Sequence, residues 1–125
     1  MKGETNMKPD KLISAQLDEN LKKAVGELLL LTLLSRKESY IGELAEAVYK
    51  QSRHAFSLAF PYAAIYRMER EGYLCESGKR IAPDGRRRQY IAITDAGRVY
   101  QKQLQETYLA FIQGVSLILE GGKEK

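Results

Sequence analysis

The side chains best equipped for chemistry are cations, and they are clustered. Five of them, Lys79, Arg80, Arg86, Arg87 and Arg88, fall within ten residues that hold a single anion, Asp84. The chain carries 20 Lys and Arg against 16 Asp and Glu, so 15 of each remain outside this stretch. Formally, the whole net charge of +4 sits in one segment. Three consecutive arginines repel one another unless a partner supplies negative charge. A concentrated basic patch on an otherwise balanced chain therefore points to a polyanion. A solvated, charge-rich loop is the competing reading, and charge alone leaves it open.

Other reactive groups are sparse. The one histidine, His54, leaves too few soft ligands for a usual zinc site. The one cysteine, Cys75, cannot form an intramolecular disulfide and fits a reducing compartment. It reads as a strand residue packed in the core, with no activating histidine in reach. His54 reads as a surface or turn residue. Neither the phosphate-cradling G-x-x-x-x-G-K-[ST] pattern nor G-x-G-x-x-G occurs. Nothing in the pattern argues for an enzyme, a metal or a cofactor. The N-terminus lacks the apolar core of a signal peptide. The longest apolar run, Leu28 to Leu34, is broken by Thr32 and too short to span a bilayer. A cytoplasmic protein without membrane attachment is expected.

The elements that must position the cations follow from periodicity. A chain of 125 residues suffices for one domain with a modest core. Residues 1–10 are polar and read as a flexible tail. Leu17, Leu21, Val25, Leu28 and Leu29 then recur at helical spacing. Past Gly26 the run LLLLTLL is apolar on nearly every side, as in a central helix covered by several neighbours. A second helix follows, with Ile41, Leu44, Ala45 and Val48 as its buried stripe, ending at Gln51-Ser52-Arg53-His54. A short connection is expected to lead to a third helix, with Ser57 as its N-cap and Pro61 near its start. There Pro61, Ala64, Ile65 and Met68 share one face, and Tyr62, Ala63, Tyr66, Arg67 and Arg70 the other. Gly72 supplies the stop. The period then changes: Tyr73 to Glu76 and Gln89 to Ile93 are strand candidates joined by a loop containing Pro83-Asp84-Gly85. Thr94 and Asp95 begin a last helix, which ends near Gly121-Gly122.

The fold class is therefore mainly α with a small β-hairpin. Two helices, a third helix and a basic hairpin describe a winged helix-turn-helix over residues 11–93. Residues 94–120 form a long C-terminal helix and 121–125 a tail. In such a fold the third helix enters the major groove of double-stranded DNA and the wing lies against the backbone or minor groove. Tyr62, Tyr66 and Arg67 suit that role, since exposed helix faces more often carry Lys, Glu and Ser. Strand alternation sends Arg86 and Arg88 one way and Arg87 the other. The last helix carries Tyr100, Leu104, Tyr108, Phe111, Ile112, Val115 and Ile118, an apolar stripe of about 30 Å. A small three-helix core cannot cover that length, so a second copy is expected to do so, with Leu17 and Leu21 in the same dimer core. A protein-interaction module, with the wing charge incidental, remains the alternative.

The runs LKKAVGELLLLTLL (21–34), YIGEL (40–44), YAAIYRMEREGYL (62–74) and RRRQYIAITDAG (86–97) together resemble the PadR family of bacterial transcriptional regulators. Their order and spacing carry the resemblance, which covers most of the chain from Leu21 onward. It implies a homodimer that binds an inverted-repeat operator, usually as a repressor, through a winged helix-turn-helix. The short length resembles the subfamily with a single C-terminal dimerisation helix. By the matching motif, Ser57 caps the recognition helix, and Phe60, Tyr62, Ala63 and Arg67 lie on its DNA-facing side. Arg86 to Arg88 form the basic wing, with Lys79 and Arg80 beside them. The family often begins this helix Ser-Pro-Gly-Thr-Leu-Tyr-Pro; here the stretch is SLAFPYA (57–63), with Phe60 where a small hydroxyl residue is common. The resemblance also allows a small aromatic effector near the dimer interface. Tyr100, Tyr108 and Phe111 are the candidates to contact it, although each reads first as a packing residue.

Overall fold

The leucine run of the first helix is the axis of the molecule. The computed structural model describes residues 11–122, with side chains from Ser14 onward. The expected tail at 1–10 lies outside the described residues, as do 123–125 of the expected C-terminal tail. Helix α1 spans Lys11–Arg36, α2 Ile41–Gln51 and α3 Tyr62–Arg70; strands β1, Leu74–Ile81, and β2, Arg87–Ile93, form an antiparallel hairpin; α4 spans Asp95–Leu119. This is a winged helix-turn-helix followed by a long C-terminal helix.

Leu30, Leu31 and Leu34 of α1 are almost wholly buried. Leu30 and Leu31 point about 100° apart, so they bury only because α1 is flanked on more than one side. Around them pack Leu44 and Val48 of α2, Phe60 from the segment before α3, Ile65 and Met68 of α3, and Leu74, Ile91 and Ile93 of the hairpin. Burying each such side chain stabilises the fold by roughly 1.5–3 kcal/mol. The stripes expected on α2 and α3 are thus the ones that pack, save that Pro61 is exposed.

The start of α3 differs from expectation. Pro61, at φ −65° and ψ 141°, is the N-cap residue, and no side chain caps the helix. Proline disfavours the helical region for the residue before it, so Phe60 cannot extend the helix backwards. Ser57 therefore lies too far upstream to reach the first-turn amides, and residues 52–61 form a longer connection than expected. In that stretch Phe56, Leu58 and Phe60 turn inward while Ser57, Ala59 and Pro61 stay exposed.

The end of α3 is as expected. Gly72, at φ +86°, lets its own N–H reach the Glu69 carbonyl and the Tyr73 N–H reach the Met68 carbonyl. These two bonds form a Schellman motif. The strands are longer than expected, so Lys79 and Arg80 lie within β1 and not in a loop. Cys75 is exposed, contrary to the expectation of a core residue. Leu74 faces inward, and alternation sends the next side chain outward. Ser39, between α1 and α2, bonds Ile91 in both directions, at 3.1 and 2.9 Å, and ties β2 to the helices.

Helix α4 starts on a Thr94 cap whose hydroxyl accepts the Gly97 N–H at 3.0 Å. Gly97 is buried where α4 crosses the α3–β1 corner. A methyl group there would collide with the Tyr73 carbonyl and lie 2.7 Å from Ile93 Cγ1. Gly97→Ala is expected to cost about 3 kcal/mol, because backbone must move to admit it. Gly26→Ala, in mid-helix with nothing within 4 Å, is expected to stabilise by about 1 kcal/mol. Urea unfolding of the two variants checks both signs.

Candidate nucleic-acid interface

Two elements meet on one side of the molecule, α3 and the wing. On α3, Tyr62 is 63% exposed and Tyr66 half exposed, with ring centroids 6.1 Å apart. Ala63 and Arg70 share this face. Ser57 is exposed but precedes the helix, and Phe60, at 7% exposure, belongs to the core. Phe60 is therefore corrected from a DNA-facing residue to a packing residue. The alternation of Phe56, Leu58 and Phe60 was the signal for this, a period of two where a helix was expected.

Arg67 is also placed differently from expectation. It lies on the flank of α3 that faces α1. Its guanidinium pairs with the Glu27 carboxylate through Nη2 and with Glu71 Oε1 at 3.2 Å through Nη1. The bond to Glu27 is the main reason that its affinity for its proton rises further. Both terminal nitrogens of Arg67 are thus engaged within the chain, while 41% of its side chain stays exposed.

The five wing cations divide into two sets. Arg88 bonds Asp84 Oδ2 at 2.5 Å and lies 5.1 Å from the Tyr40 ring centroid. Its register partner Arg80 pairs with Glu38 and lies 4.0 Å over the Tyr90 ring. The two tyrosines meet edge to face at 5.5 Å. One face of the hairpin is thus a layer of guanidinium groups on aromatic rings, in which both charges are already paired. The hydrogen bond from Arg88, then the Arg86 N–H, holds the Asp84 carboxyl below the usual carboxylate range. The Ser77 hydroxyl, then Arg80, does the same for Glu38.

Lys79, Arg86 and Arg87 form the second set. All three are exposed, and among the described residues none has a side-chain hydrogen bond or ion pair. Arg87 stands opposite Ile81 and Lys79 opposite Gln89, on the other side of the ladder from Arg80 and Arg88. Arg86 lies in the turn before β2, so strand alternation does not apply to it. Asp84 shapes that turn by accepting the Arg86 N–H at 3.0 Å. Tyr40, Tyr90 and Gln89 join the site unannounced by any spacing in the sequence. With Tyr62 and Tyr66, Tyr40, Arg88 and Gln89 line a cleft of about 360 Å³ between α3 and the wing.

A second surface lies on α4. Phe111 is 68% and Ile118 74% exposed, and Tyr108, Leu109, Val115, Leu117 and Leu119 are exposed with them, as are Leu17 and Leu21 on α1. Tyr100 and Leu104, expected in the same surface, are partly buried against the chain's own core. Tyr100 stacks on Tyr73 at 4.3 Å, so its ring is used within the chain. Ile112 is half buried in a groove between α1 and α4.

His54 sits in the turn after α2 at φ +67°, stacked 4.4 Å from Tyr49. Among the described residues no group of three or more His, Cys, Asp or Glu could hold a metal ion, and no helix is long and apolar enough to cross a membrane. The corrected placement of Phe60 is testable. Phe60→Ala is expected to cost about 3–5 kcal/mol of stability, and Tyr62→Ala less than about 0.5 kcal/mol. Equal losses in urea unfolding would contradict the assignment.

No protein-family model matches the chain, and no curated protein matches its sequence. Solved structures do match. A PadR-like transcriptional regulator from Bacillus cereus is 24% identical, with a TM-score of 0.68 over 82% of this chain and 98% of that one. A transcriptional regulator from Clostridium thermocellum is 22% identical, with a TM-score of 0.67 over 78% and 95%. The circadian clock associated protein Pex from Anabaena is 20% identical, with a TM-score of 0.59 over 74% and 82%. The order of helices, the hairpin and the long last helix agree: this chain has the fold of the PadR-like transcriptional regulators.

Proposed function

We propose that this chain is a DNA-binding transcriptional regulator of the PadR type, without catalytic activity, that acts as a homodimer on a two-fold operator. The observation that carries the reading is the set of unpaired cations, Lys79, Arg86 and Arg87, beside the exposed tyrosine face of α3. Unpaired guanidinium groups gain most from phosphates, and α3 is then positioned for base edges and thymine methyls. Tyr62, Ala63 and Tyr66 are the proposed base-facing residues. Names of solved structures with this fold support a regulator and not an enzyme.

Repression follows if the operator overlaps a promoter. The dimer would form through Leu17, Leu21, Tyr108, Phe111, Val115 and Ile118, apolar side chains otherwise left in water. An effector would enter the groove of about 500 Å³ between α1, α2 and α4, lined by Val25, Leu28, Phe56 and Tyr108. Of the aromatic candidates Tyr108 alone lines it, and neither Tyr100 nor Phe111 does.

Each free cation that meets a phosphate adds about 0.9 to the slope of log affinity against log salt. Replacing Arg86 and Arg87 by Gln is expected to lower that slope by about two, measured on DNA from upstream of the chain's own gene. Replacing Arg88, already paired with Asp84, is expected to change it less. A slope indifferent to Arg86 and Arg87 would favour the protein-interaction alternative. Sedimentation supplies the second test. A dimer is expected at micromolar concentration, and Phe111→Asp with Ile118→Asp is expected to give a folded monomer. A monomeric wild type contradicts the two-fold reading.

A further inference from the structure

Helix α3 has nine residues and is held at two places. Its C-terminal end is gripped by the start of α4. Thr94 donates from its hydroxyl to the Gly72 carbonyl at 2.5 Å and from its N–H to the Tyr73 carbonyl at 3.0 Å. Its middle is held from α1 by one carboxylate. Glu27 Oε2 accepts from Arg67, and Glu27 Oε1 accepts from the Tyr100 hydroxyl of α4 at 3.3 Å. Tyr100 in turn stacks on Tyr73, next to the Gly72 stop. Among the described residues Glu27 is thus the one side chain bonded to both the exposed short helix and the long last helix.

We propose that Glu27 is a positioning residue for DNA recognition, clamping α3 through Arg67 and α4 through Tyr100 so that the seat of α4 sets the attitude of α3. Its DNA consequence rests on the DNA-binding reading above. Arg67 is then a strut. Its guanidinium has Glu27 on one side and Glu71 on the other, while the tyrosine face points elsewhere. A carboxylate that bonds two helices through its two oxygens loses the ion pair and one of the two acceptors when it becomes an amide, whereas the apolar core around Leu30 and Met68 remains. Removing it should loosen α3 and leave α2, which has no bond to Glu27 among the described residues.

The test uses Glu27→Gln, Arg67→Met, their combination, and Tyr100→Phe, which keeps the ring that stacks on Tyr73. Amide hydrogen exchange of the DNA-free protein comes first. Exchange over Ile65–Arg70 is expected to accelerate about tenfold in Glu27→Gln and in Arg67→Met, no further in the combination, and less in Tyr100→Phe. Amides of α2 are expected to keep the wild-type rate. No acceleration in α3, or equal acceleration throughout the chain, overturns the clamp. Binding to DNA from upstream of the gene comes second. Glu27→Gln and Arg67→Met are each expected to bind about tenfold more weakly, with an unchanged salt slope. A slope about one lower in Arg67→Met identifies Arg67 as a phosphate contact and overturns its role as a strut. Tighter binding by Glu27→Gln overturns it as well, since Glu27 would then be competing with DNA. A wild type that binds no DNA at any salt, with the exchange pattern intact, removes the DNA-binding reading and leaves the clamp standing.

Discussion

The crossing of α4 over the α3–β1 corner is the contact on which the outward-facing parts depend. Gly97 lies there against the Tyr73 carbonyl, so close that no side chain fits. That approach lets Thr94 bond both Gly72 and Tyr73, which fixes the stop of α3 and the first residues of the wing. It also sets Tyr100 on Tyr73 and within reach of Glu27. Helix α3, the root of the hairpin and the long helix therefore share one corner. From the other side, the Ser39–Ile91 pair holds β2 to the turn between α1 and α2. A short helix with few buried residues needs such external supports, because its own hydrogen bonds cannot define its direction.

Charge is partitioned on the same frame. Five cations crowd the wing, yet Arg80 and Arg88 are answered by Glu38 and Asp84 and laid over Tyr90 and Tyr40. Stacking on rings and pairing with carboxylates stiffens the hairpin, at the expense of charge available to a partner. Lys79, Arg86 and Arg87 keep theirs. The repulsion of the arginine run is relieved in part inside the protein, and the rest is left exposed at Arg86 and Arg87. Arg67 belongs with the paired set, which leaves the tyrosines as the distinctive chemistry of α3.

Much of this was legible in the sequence, and the failures share a cause. The leucine run of α1, the stripe of α2, the Gly72 stop and the Thr94 cap are local patterns, and local patterns place elements. Ser57 resembled an N-cap for the same local reason, but the restriction that Pro61 imposes on Phe60 outweighs it. Once that stretch is extended, the inward turn of Phe56, Leu58 and Phe60 follows. Cys75 was misplaced because the phase of a strand depends on which neighbour the core admits. The partners of Arg67, Arg80 and Tyr100 lie 40, 42 and 73 residues away, and no spacing rule reaches that far. Tyr100 belonged to the apolar stripe of α4 by period, but the corner at Gly97 claims it for the chain's own core.

A hydroxyl-radical footprint of the protein on DNA upstream of its own gene tests the central claim most directly. A two-fold protein with a recognition helix in each half predicts two protected patches related by symmetry, centred about 34–36 Å apart on the duplex. A uniform, salt-sensitive coating without discrete patches, or no protection at all, would contradict it.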